Sequence, residues 1–368
     1  MILEDICDVY SGYAIKQFNE DKIGVPVIKI GNILMDGTIE LEDCQYTTEK
    51  VNQKYYSEYQ DIYIALSGAT TGKIGILKRQ DKFIVNQRVG IVRKKDNNIP
   101  IEFIKYFLFH HTDRIFKEAA GCAQPNISPK QIGKYKVPII DDSRMKYVVE
   151  ILDSLTRIIN KRKRQLNYLD ELIKARFVEM FVSKNYPREE LDNLSYGKGE
   201  YGAQSASVEY NSSRPRYVRI TDIKEDGSLN DDVVCSANVE DDKLYKLKYG
   251  DFCFARMGAT VGKTYAYRGG NQIFAGYLIR YKLNLNRIIP EYLYEFTRLH
   301  EYRNWVSLNQ SGAAQPGINA KKYGSLRIPV APLEEQRVFA KFVEEVNKSK
   351  VVFHHVAQIH IYKTSTLL

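Results

Sequence analysis

The sequence predicts an α+β protein in which two repeated mixed α/β domains are separated by two long antiparallel, coiled-coil-like helices. Three observations predict this: an internal repeat at an offset near 190 positions, a 40-residue stretch without proline or glycine from Ser143 to Val182, and a second helical pattern from Leu333. The chain must return through the second domain before it forms the second helix. We therefore expect antiparallel helices and pseudo-two-fold symmetry. The predicted boundaries are 1–142 and 184–332 for the domains, and 143–183 and 333–361 for the helices.

Four segments recur in the same order in both halves of the chain. They are VIKIGNILMDGTI from Val27 and YVRITDIKEDGSL from Tyr217; DIYIALSGATTGKIGI from Asp61 and DFCFARMGATVGKTYA from Asp251; helix starts at Pro100 and Pro290; and GCAQPNISPKQIGKYKVPI from Gly121 and GAAQPGINAKKYGSLRIPV from Gly312. The offset is 190 positions for the first three pairs and 191 for the last. Four ordered matches at a nearly constant offset do not arise by chance, so the chain contains one unit twice.

Each repeated unit is predicted to hold short strands, then one helix, then a closing strand. In the first unit the strands are expected at Pro26–Ile30, Asp61–Leu66 and Phe83–Val92, with turns at Asp36-Gly37 and Gly72. The helices are expected from about Pro100 to Ala119 and from about Pro290 to Leu308, each with proline in its first turn. The closing strands should end at Pro138 and Pro329.

The stretch from Ser143 to Val182 is predicted to be one helix of roughly 60 Å, at about 1.5 Å per residue. Its apolar residues recur in steps of four and three, the spacing at which a helix packs along a partner helix. This seam consists of Val148, Leu152, Leu155, Ile159, Leu166, Leu169, Ile173 and Met180. A spacer or dimerising rod is the preferred interpretation, and a helix buried in one large domain is the alternative. The second helix is expected to be weaker because Lys350 lies in its seam.

Charge and cysteine content limit the possible partners and location. The net charge of +9 favours a polyanionic partner, most simply nucleic acid. The five cysteines contain no C-x-x-C pair, which argues against a zinc ribbon or a disulfide framework and suits a reducing cytoplasm. Neither a signal peptide nor a run of 18 apolar residues is visible. We therefore expect a soluble cytoplasmic chain.

One string resembles a phosphate-binding P-loop. In Gly258–Thr264 only three residues separate the two glycines, whereas a P-loop has four, and the copy at Gly68–Ile74 lacks the final hydroxyl. We interpret both as tight turns that place Lys73 and Lys263 at an exposed tip, where each lysine meets a DNA phosphate or only solvent. No G-x-S-x-G, H-E-x-x-H or Asp/Asn-Pro-Pro-aromatic string occurs, so a non-catalytic chain without metal or cofactor is expected.

The candidate DNA contacts lie on or beside the strand–turn elements. Arginines there could form bidentate hydrogen bonds with guanine, and lysines could neutralise phosphates. The candidates are Thr70, Lys73, Arg88, Arg214, Arg216, Arg256, Thr260 and Lys263. The basic run Lys161–Arg164 inside the long helix is interpreted as a solvated face, or alternatively as a contact with the DNA backbone.

In the order and duplication of these motifs, the chain resembles the specificity subunit of type I restriction–modification systems over almost its whole length. The resemblance rests on the duplicated Gly-Ala-Thr-x-Gly-Lys turn, the duplicated loops Ala123–Ile127 and Ala314–Ile318, the closing Val137-Pro138 and Ile328-Pro329, the helix start Leu333–Arg337 and the helix end Leu172–Phe181.

This resemblance implies that the units are target-recognition domains, each reading one half of a split double-stranded DNA site. It implies that the helices set the half-site separation and dock methyltransferase subunits, two of them, with restriction subunits joining through the complex. S-adenosylmethionine, ATP and magnesium would then belong to the partner subunits. The seam residues expected to serve docking and spacing are Leu152, Leu155, Ile159, Leu166, Leu169, Ile173, Phe342 and Val346.

Two further expectations come from differences between the copies. The units differ most between Gly12 and Pro26 and between Gly197 and Tyr217, which predicts an asymmetric bipartite target. The chain also departs from the family after His360, which predicts a shortened second helix. A restriction enzyme acting alone, a coiled-coil protein–protein adaptor and an inactive or truncated variant of such a subunit remain as alternatives.

Overall fold

The computed structural model of the protein describes residues 1–19, 21–95, 98–120, 125–138, 140–239, 241–311 and 316–364, with side chains up to residue 350. The chain divides into two compact units: Met1–Lys161 together with the chain from Val356, and Arg162–His355. The division falls inside a long helix, and the domain boundaries given above stay a prediction. Within the described residues, no helix is both long and apolar enough to cross a bilayer.

The first unit combines a four-stranded antiparallel sheet with a three-stranded one. Its helices are α1 (Leu3–Ile6), α2 (Ile101–His110), α3 (Thr112–Ala119) and α4 (Pro129–Gly133). Its strands are β1 (Cys7–Ser11), β2 (Val25–Ile28), β3 (Gln45–Thr47), β4 (Ile62–Ala65), β5 (Ile74–Ile76), β6 (Ile84–Val85) and β7 (Val89–Lys94). The larger sheet has the order β1-β7-β4-β5, and in the smaller sheet β2 lies between β3 and β6, antiparallel to β3 and parallel to β6.

Strand β4 is buried on both faces, which explains why it is continuously apolar. Ile62 and Ile64 pack with residues of α2 such as Phe107, whereas Tyr63 and Ala65 pack into a second cluster. Side chains alternate between the two faces of a strand, so one strand supplies both cores.

Two predicted elements of the first unit are each divided in two. The expected strand Phe83–Val92 is β6 and β7 with a turn between them, because Asn86 Oδ1 accepts a hydrogen bond from Arg88 N at 3.1 Å and bends the chain. The expected helix from Pro100 to Ala119 is α2 and α3. His111 N bonds Leu108 O at 2.9 Å, which tightens the turn, and the His111 ring nitrogen Nδ1 lies 2.9 Å from Phe107 O.

The long central helix is confirmed. Helix α5 covers Asp142–Phe177, and the π-helical turn Val178–Val182 continues it. Its start is explained by Asp141, whose Oδ1 accepts a hydrogen bond from Arg144 N at 2.9 Å and satisfies a free donor of the first turn. The chain leaves the helix at Asn185, which has a positive φ of 52°, followed by Pro187.

The second unit repeats the four-stranded sheet and the parallel strand pair of the first. Its strands are β8 (Arg188–Glu190), β9 (Glu200–Tyr201), β10 (Ser207–Glu209), β11 (Arg216–Val218), β12 (Cys235–Ala237), β13 (Asp251–Ala255), β14 (Thr264–Ala266), β15 (Gln272–Phe274), β16 (Leu278–Lys282) and β17 (Arg327–Pro329). Its helices are α6 (Pro290–Thr297), α7 (His300–Asn309), α8 (Ala320–Gly324) and α9 (Leu333–Thr364). The sheet β14-β13-β16-β9 matches β5-β4-β7-β1, and the parallel pair β11-β15 matches β2-β6. The repeated mixed α/β fold is therefore confirmed. The helix expected from Pro290 to Leu308 is divided into α6 and α7, because Leu299 is extended.

Within the second unit, α5 and α9 pack antiparallel, as predicted. Contacts that lie later in α5 meet residues that lie earlier in α9: Asp170 meets Lys350, and the rings of Phe177 and Phe181 each lie 5.4 Å from that of Phe339. Helix α9 continues to Thr364, three residues past the predicted end at 361, but it is shorter than α5, as expected. The second helix is 32 residues long against 36 for α5.

The predicted seam is largely intramolecular. Leu152, Ile173 and Val346 are buried, and Leu169 and Phe342 are partly buried against the core of the second unit. Leu155, Ile159 and Leu166 are half-buried.

Candidate nucleic-acid interface

The two duplicated motifs contact each other in both units. Gly68 N donates to Pro125 O at 3.1 Å, and the equivalent Gly258 N donates to Pro316 O at 3.0 Å. Two residues earlier in the first segment and two residues later in the second, Ile127 N donates to Leu66 O and Ile318 N donates to Arg256 O, both at 2.9 Å. We call this arrangement the clasp: residues Leu66–Lys73 with Pro125–Ile127 in the first unit, and Arg256–Lys263 with Pro316–Ile318 in the second. Residues 121–124 and 312–315 of the Ala-Gln-Pro loops lie outside the described residues.

The turn of the clasp joins two antiparallel strands, as expected for a tight turn and unlike a P-loop, which leads into a helix. Gly72 N donates to Ala65 O at 2.9 Å, and Gly262 N donates to Ala255 O at 3.0 Å. The four glycines of the two turns have φ between 72° and 87°, the left-handed region in which a side chain is strained. Glycine is therefore required here by backbone conformation.

The turn lysines are not at an exposed tip, contrary to the prediction. Lys73 and Lys263 are both half-buried. Lys263 Nζ lies 2.7 Å from Glu225 Oε1 and 3.4 Å from Ile223 O, because the hairpin after β11 folds over the turn. The charge of Lys263 is therefore partly compensated within the chain. Lys263 lines a cleft of about 430 Å³ whose wall also carries Lys224, Arg298 and Arg303.

The two turn threonines differ in how their hydroxyls are satisfied. Thr260 Oγ1 donates to Met257 O at 3.3 Å. Thr70 Oγ1 is buried without a hydrogen-bond partner among the described residues, and so is the neighbouring Ser67 Oγ. A buried hydroxyl without a partner costs free energy, so an additional hydrogen bond to either atom would stabilise the turn.

The four candidate arginines have different environments. Arg88 and Arg214 are exposed. Arg216 is tied to the protein, since its Nη1 lies 2.6 Å from Asp231 Oδ1 and its side chain is only 15% exposed. Arg256 is half-buried, and its guanidinium lies near the rings of Tyr201 and Tyr277. The fold therefore brings Arg88 and Arg256 to the clasp and gives Arg216 a structural ion pair.

Backbone bonds define which residues correspond in the two units. Leu66 N donates to Arg88 O at 2.9 Å, and Arg256 N donates to Tyr277 O at 3.0 Å. Likewise Gln87 N donates to Tyr13 O and Gly276 N donates to Ala203 O, both at 2.8 Å. Leu66 thus corresponds to Arg256, and Arg88 to Tyr277. The same main-chain arrangement therefore carries different side chains in the two clasps.

Sequence reasoning missed Tyr201 and Tyr277, which are 41% and 53% exposed beside Arg256. The sequence repeat could have identified Tyr277, because an alignment of the two copies that matches Val89 with Leu278 also matches Arg88 with Tyr277. Among the described residues, no group of histidine, cysteine, aspartate or glutamate is arranged to hold a metal ion.

Comparisons with known proteins follow the same division into two copies. The family described as the type I restriction modification DNA specificity domain matches residues 1–168 and 197–359. A protein named as the specificity subunit of the MjaX type I restriction enzyme, from Methanocaldococcus jannaschii, is 24% identical over 94% of this chain and 85% of its own length. The StySPI type I restriction enzyme specificity subunit from Salmonella potsdam is 23% identical over 88% of this chain and 75% of its own.

Solved structures agree on the fold. The S subunit of a type I restriction–modification system from M. genitalium superimposes with a TM-score of 0.53 at 13% identity, covering 100% of this chain and 94% of the other. A chain from a study of assembly and conformational transition in the type I restriction–modification system gives a TM-score of 0.57 at 13% identity, covering 100% and 95%. With the family match extending over both halves, this chain belongs to the type I restriction–modification DNA specificity family.

Proposed function

We propose that this chain is the specificity subunit of a type I restriction–modification complex and reads a split, asymmetric DNA site, one half with each unit. The observation that carries the proposal is the clasp, which occurs twice with equivalent backbone bonds and different neighbouring side chains. The same main-chain arrangement with different side chains suits two domains that approach DNA in the same way and select different bases.

Charge supports DNA as the ligand. The chain carries a net charge of +9, and attraction to phosphates supplies much of the affinity of DNA-binding proteins. Arg88 in the first unit and Arg256 in the second are the candidates for base contacts. The candidates for contacts with the DNA backbone are Lys73, Thr70, Arg214, Thr260 and Lys263. Arg216, which is paired with Asp231, would stabilise the protein around the site.

The chain is a non-catalytic subunit, so the chemistry belongs to its partners. We propose that two methyltransferase subunits dock on it and that restriction subunits join through the complex, with S-adenosylmethionine, ATP and magnesium on those partners. Because Leu152 and Ile173 of α5 and Val346 of α9 are buried within the chain, docking on these helices would use other residues. Tyr168 and Leu172, one helical turn apart, are 70% and 48% exposed and suit this role.

The test is to co-express the chain with its neighbouring methyltransferase in a host without DNA methylation and to map modified bases across the genome. A motif of two short, different specified parts around a fixed gap is expected. A palindromic motif would contradict the asymmetry, and a one-part motif would contradict reading by both units. No modification, with both proteins associated, would favour an inactive variant or an adaptor.

A further inference from the structure

Arg256 in the second unit has an environment unlike that of its neighbouring arginines. Its guanidinium carbon lies 5.0 Å from the ring centre of Tyr201 and 6.0 Å from that of Tyr277. Both tyrosines are exposed. Arg256 therefore lies at the surface between two aromatic rings, which hold a cation through their π faces.

The hydrogen-bonding capacity of Arg256 is largely unused. Its Nη2 lies 3.3 Å from Met257 Sδ, a weak acceptor, and its Nε is buried with no hydrogen-bond partner among the described residues. Three nearby arginines of this unit are paired with carboxylates: Arg216 with Asp231, Arg219 with Asp222, and Arg280 with Glu200. Among the described residues, the terminal nitrogens of Arg256 have no carboxylate partner and remain able to bind another acceptor.

The backbone of Arg256 is held from both sides. Its N–H donates to Tyr277 O at 3.0 Å, and its C=O accepts from Ile318 N at 2.9 Å within the clasp. It directly follows strand β13, so its Cα position is set by the sheet. With the backbone held and the side chain between two rings, little rotational freedom remains to be lost when a ligand binds.

An arginine with this geometry matches one feature of duplex DNA. The planar guanidinium forms paired hydrogen bonds with guanine O6 and N7 in the major groove, a contact that separates guanine from the other bases. Because Nε faces the protein interior, the two terminal nitrogens would make the pair. The first unit has no such group at this position, since its equivalent is the buried Leu66.

We propose that Arg256 is a specificity-determining residue of the second unit and selects a guanine in the half-site that this unit reads. Tyr201 and Tyr277 act as positioning residues that hold the guanidinium plane. The proposal rests on the proposed DNA recognition and adds the base and the residue that reads it.

The experiment compares the methylation motifs produced by the wild-type complex and by complexes carrying Arg256→Lys and Arg256→Ala. Lysine keeps the charge and can still donate to guanine, but it lacks the planar fork, so Arg256→Lys should preserve a phosphate contact and weaken the selection of guanine. We expect Arg256→Ala to relax one guanine position in one half-site, with discrimination at that position falling roughly tenfold or more, and Arg256→Lys to relax the same position to a smaller extent. The other half-site should keep its sequence, which also shows that the variants are folded.

Arg287→Lys is the matched control, because Arg287 is exposed in the same unit and pairs with Glu189 away from the clasp. Its motif should equal that of the wild type. Competition binding with the purified complex, using duplexes altered at the relaxed position, independently measures the ratio of affinities for guanine and for the other bases.

Two outcomes would overturn the proposal: an unchanged motif in Arg256→Ala, or a uniform loss of modification in that variant without any relaxed position. These are separate from failure of the proposed function, in which the wild-type complex itself would give no bipartite motif.

Discussion

Lys350 Nζ of helix α9 lies 2.8 Å from Asp170 Oδ1 of helix α5. Arg298 Nη2, just after α6, lies 2.9 Å from the same oxygen. One carboxylate thus joins both long helices to the recognition fold within the second unit. Lys350, which was expected to weaken the apolar seam, is an ion-pair partner, and it helps to define which turns of the two helices face each other.

We expect Asp170→Asn to destabilise the second unit by about 1–2 kcal/mol, because two partly buried cations would lose their shared counter-charge. Trp305, the one tryptophan in the sequence, belongs to this unit, so denaturant unfolding followed by its fluorescence reports the change. Glu171→Gln is the control: Glu171 is 68% exposed, and its loss should change stability by less than about 0.5 kcal/mol. Equal effects of the two substitutions would contradict this role for Asp170.

The contribution of Asp170 should depend on pH. Burial opposes its ionisation, but the hydrogen bonds from Lys350 and Arg298 prevail and hold the pKa of this carboxyl below its usual value. A carboxylate with a lowered pKa stabilises the fold above the unfolded-state pKa of about 3.9, and this contribution is lost as the pH falls through the folded-state value. The stability difference between wild type and Asp170→Asn should therefore be constant near neutrality and shrink below about pH 4. A difference that grows on acidification would reverse the expected sign.

The clasp turn predicts an order of glycine effects. Gly258→Ala should cost about 1 kcal/mol through its positive φ of 72° alone, because an added Cβ meets nothing within 4 Å. Gly262→Ala should cost more, since its Cβ would lie 2.8 Å from the Val306 side chain. Gly258→Asn is the matched control, as asparagine tolerates this conformation better. Unfolding followed by Trp305 fluorescence measures all three, and a smaller cost at Gly262 than at Gly258 would be inconsistent with this geometry.

In the first unit, Arg88 is expected to act on the half-site that Arg256 does not read. It is exposed in the turn between β6 and β7, and its carbonyl accepts the Leu66 N–H of the clasp. Arg88→Ala should lower discrimination roughly tenfold at a position of that half-site alone, measured by methylation mapping. Arg79→Ala is the control, because Arg79 is exposed in the same unit and pairs with Asp81. Relaxation of the same half-site by Arg88→Ala and Arg256→Ala would rule out one reader per unit.

Exposed apolar residues of α5 should matter for assembly and leave folding unchanged. Tyr168→Ser combined with Leu172→Ser should weaken association with the methyltransferase by about tenfold or more, since both side chains are exposed in the free chain. Tyr249→Ser, at a residue 62% exposed elsewhere in the second unit, should leave association unchanged. Titration calorimetry or co-purification measures the difference, and equal association of both variants would place docking on another surface.

The fold class, the repeat and the central helix were predictable because they depend on periodicity and on segments that recur in order. The contact between the Gly-Ala-Thr-x-Gly-Lys turn and the Ala-Gln-Pro loop could not be predicted, because main-chain hydrogen bonds do not require particular side chains and so produce no sequence pattern. Both motifs were identified, but nothing in the sequence joined them.

Ion pairs between distant segments could not be predicted from the sequence either. Lys263 was expected to be exposed, yet Glu225 meets it from the preceding hairpin, and Arg216 is held by Asp231. Asp170 and Lys350 are 180 positions apart, so only the packing of α5 on α9 brings them together. Charge pairing of this kind decides which basic residues remain available, and it follows from tertiary structure.

The main-chain bonding of the clasp also affects how such a protein can evolve. Its hydrogen bonds run between main-chain N–H and C=O groups, and the two copies already tolerate leucine at position 66 and arginine at position 256 in the same bonded place. A mutation at this position alters the chemistry offered to a ligand while the supporting bonds persist. Divergence after duplication could therefore proceed one residue at a time, with each intermediate still folded.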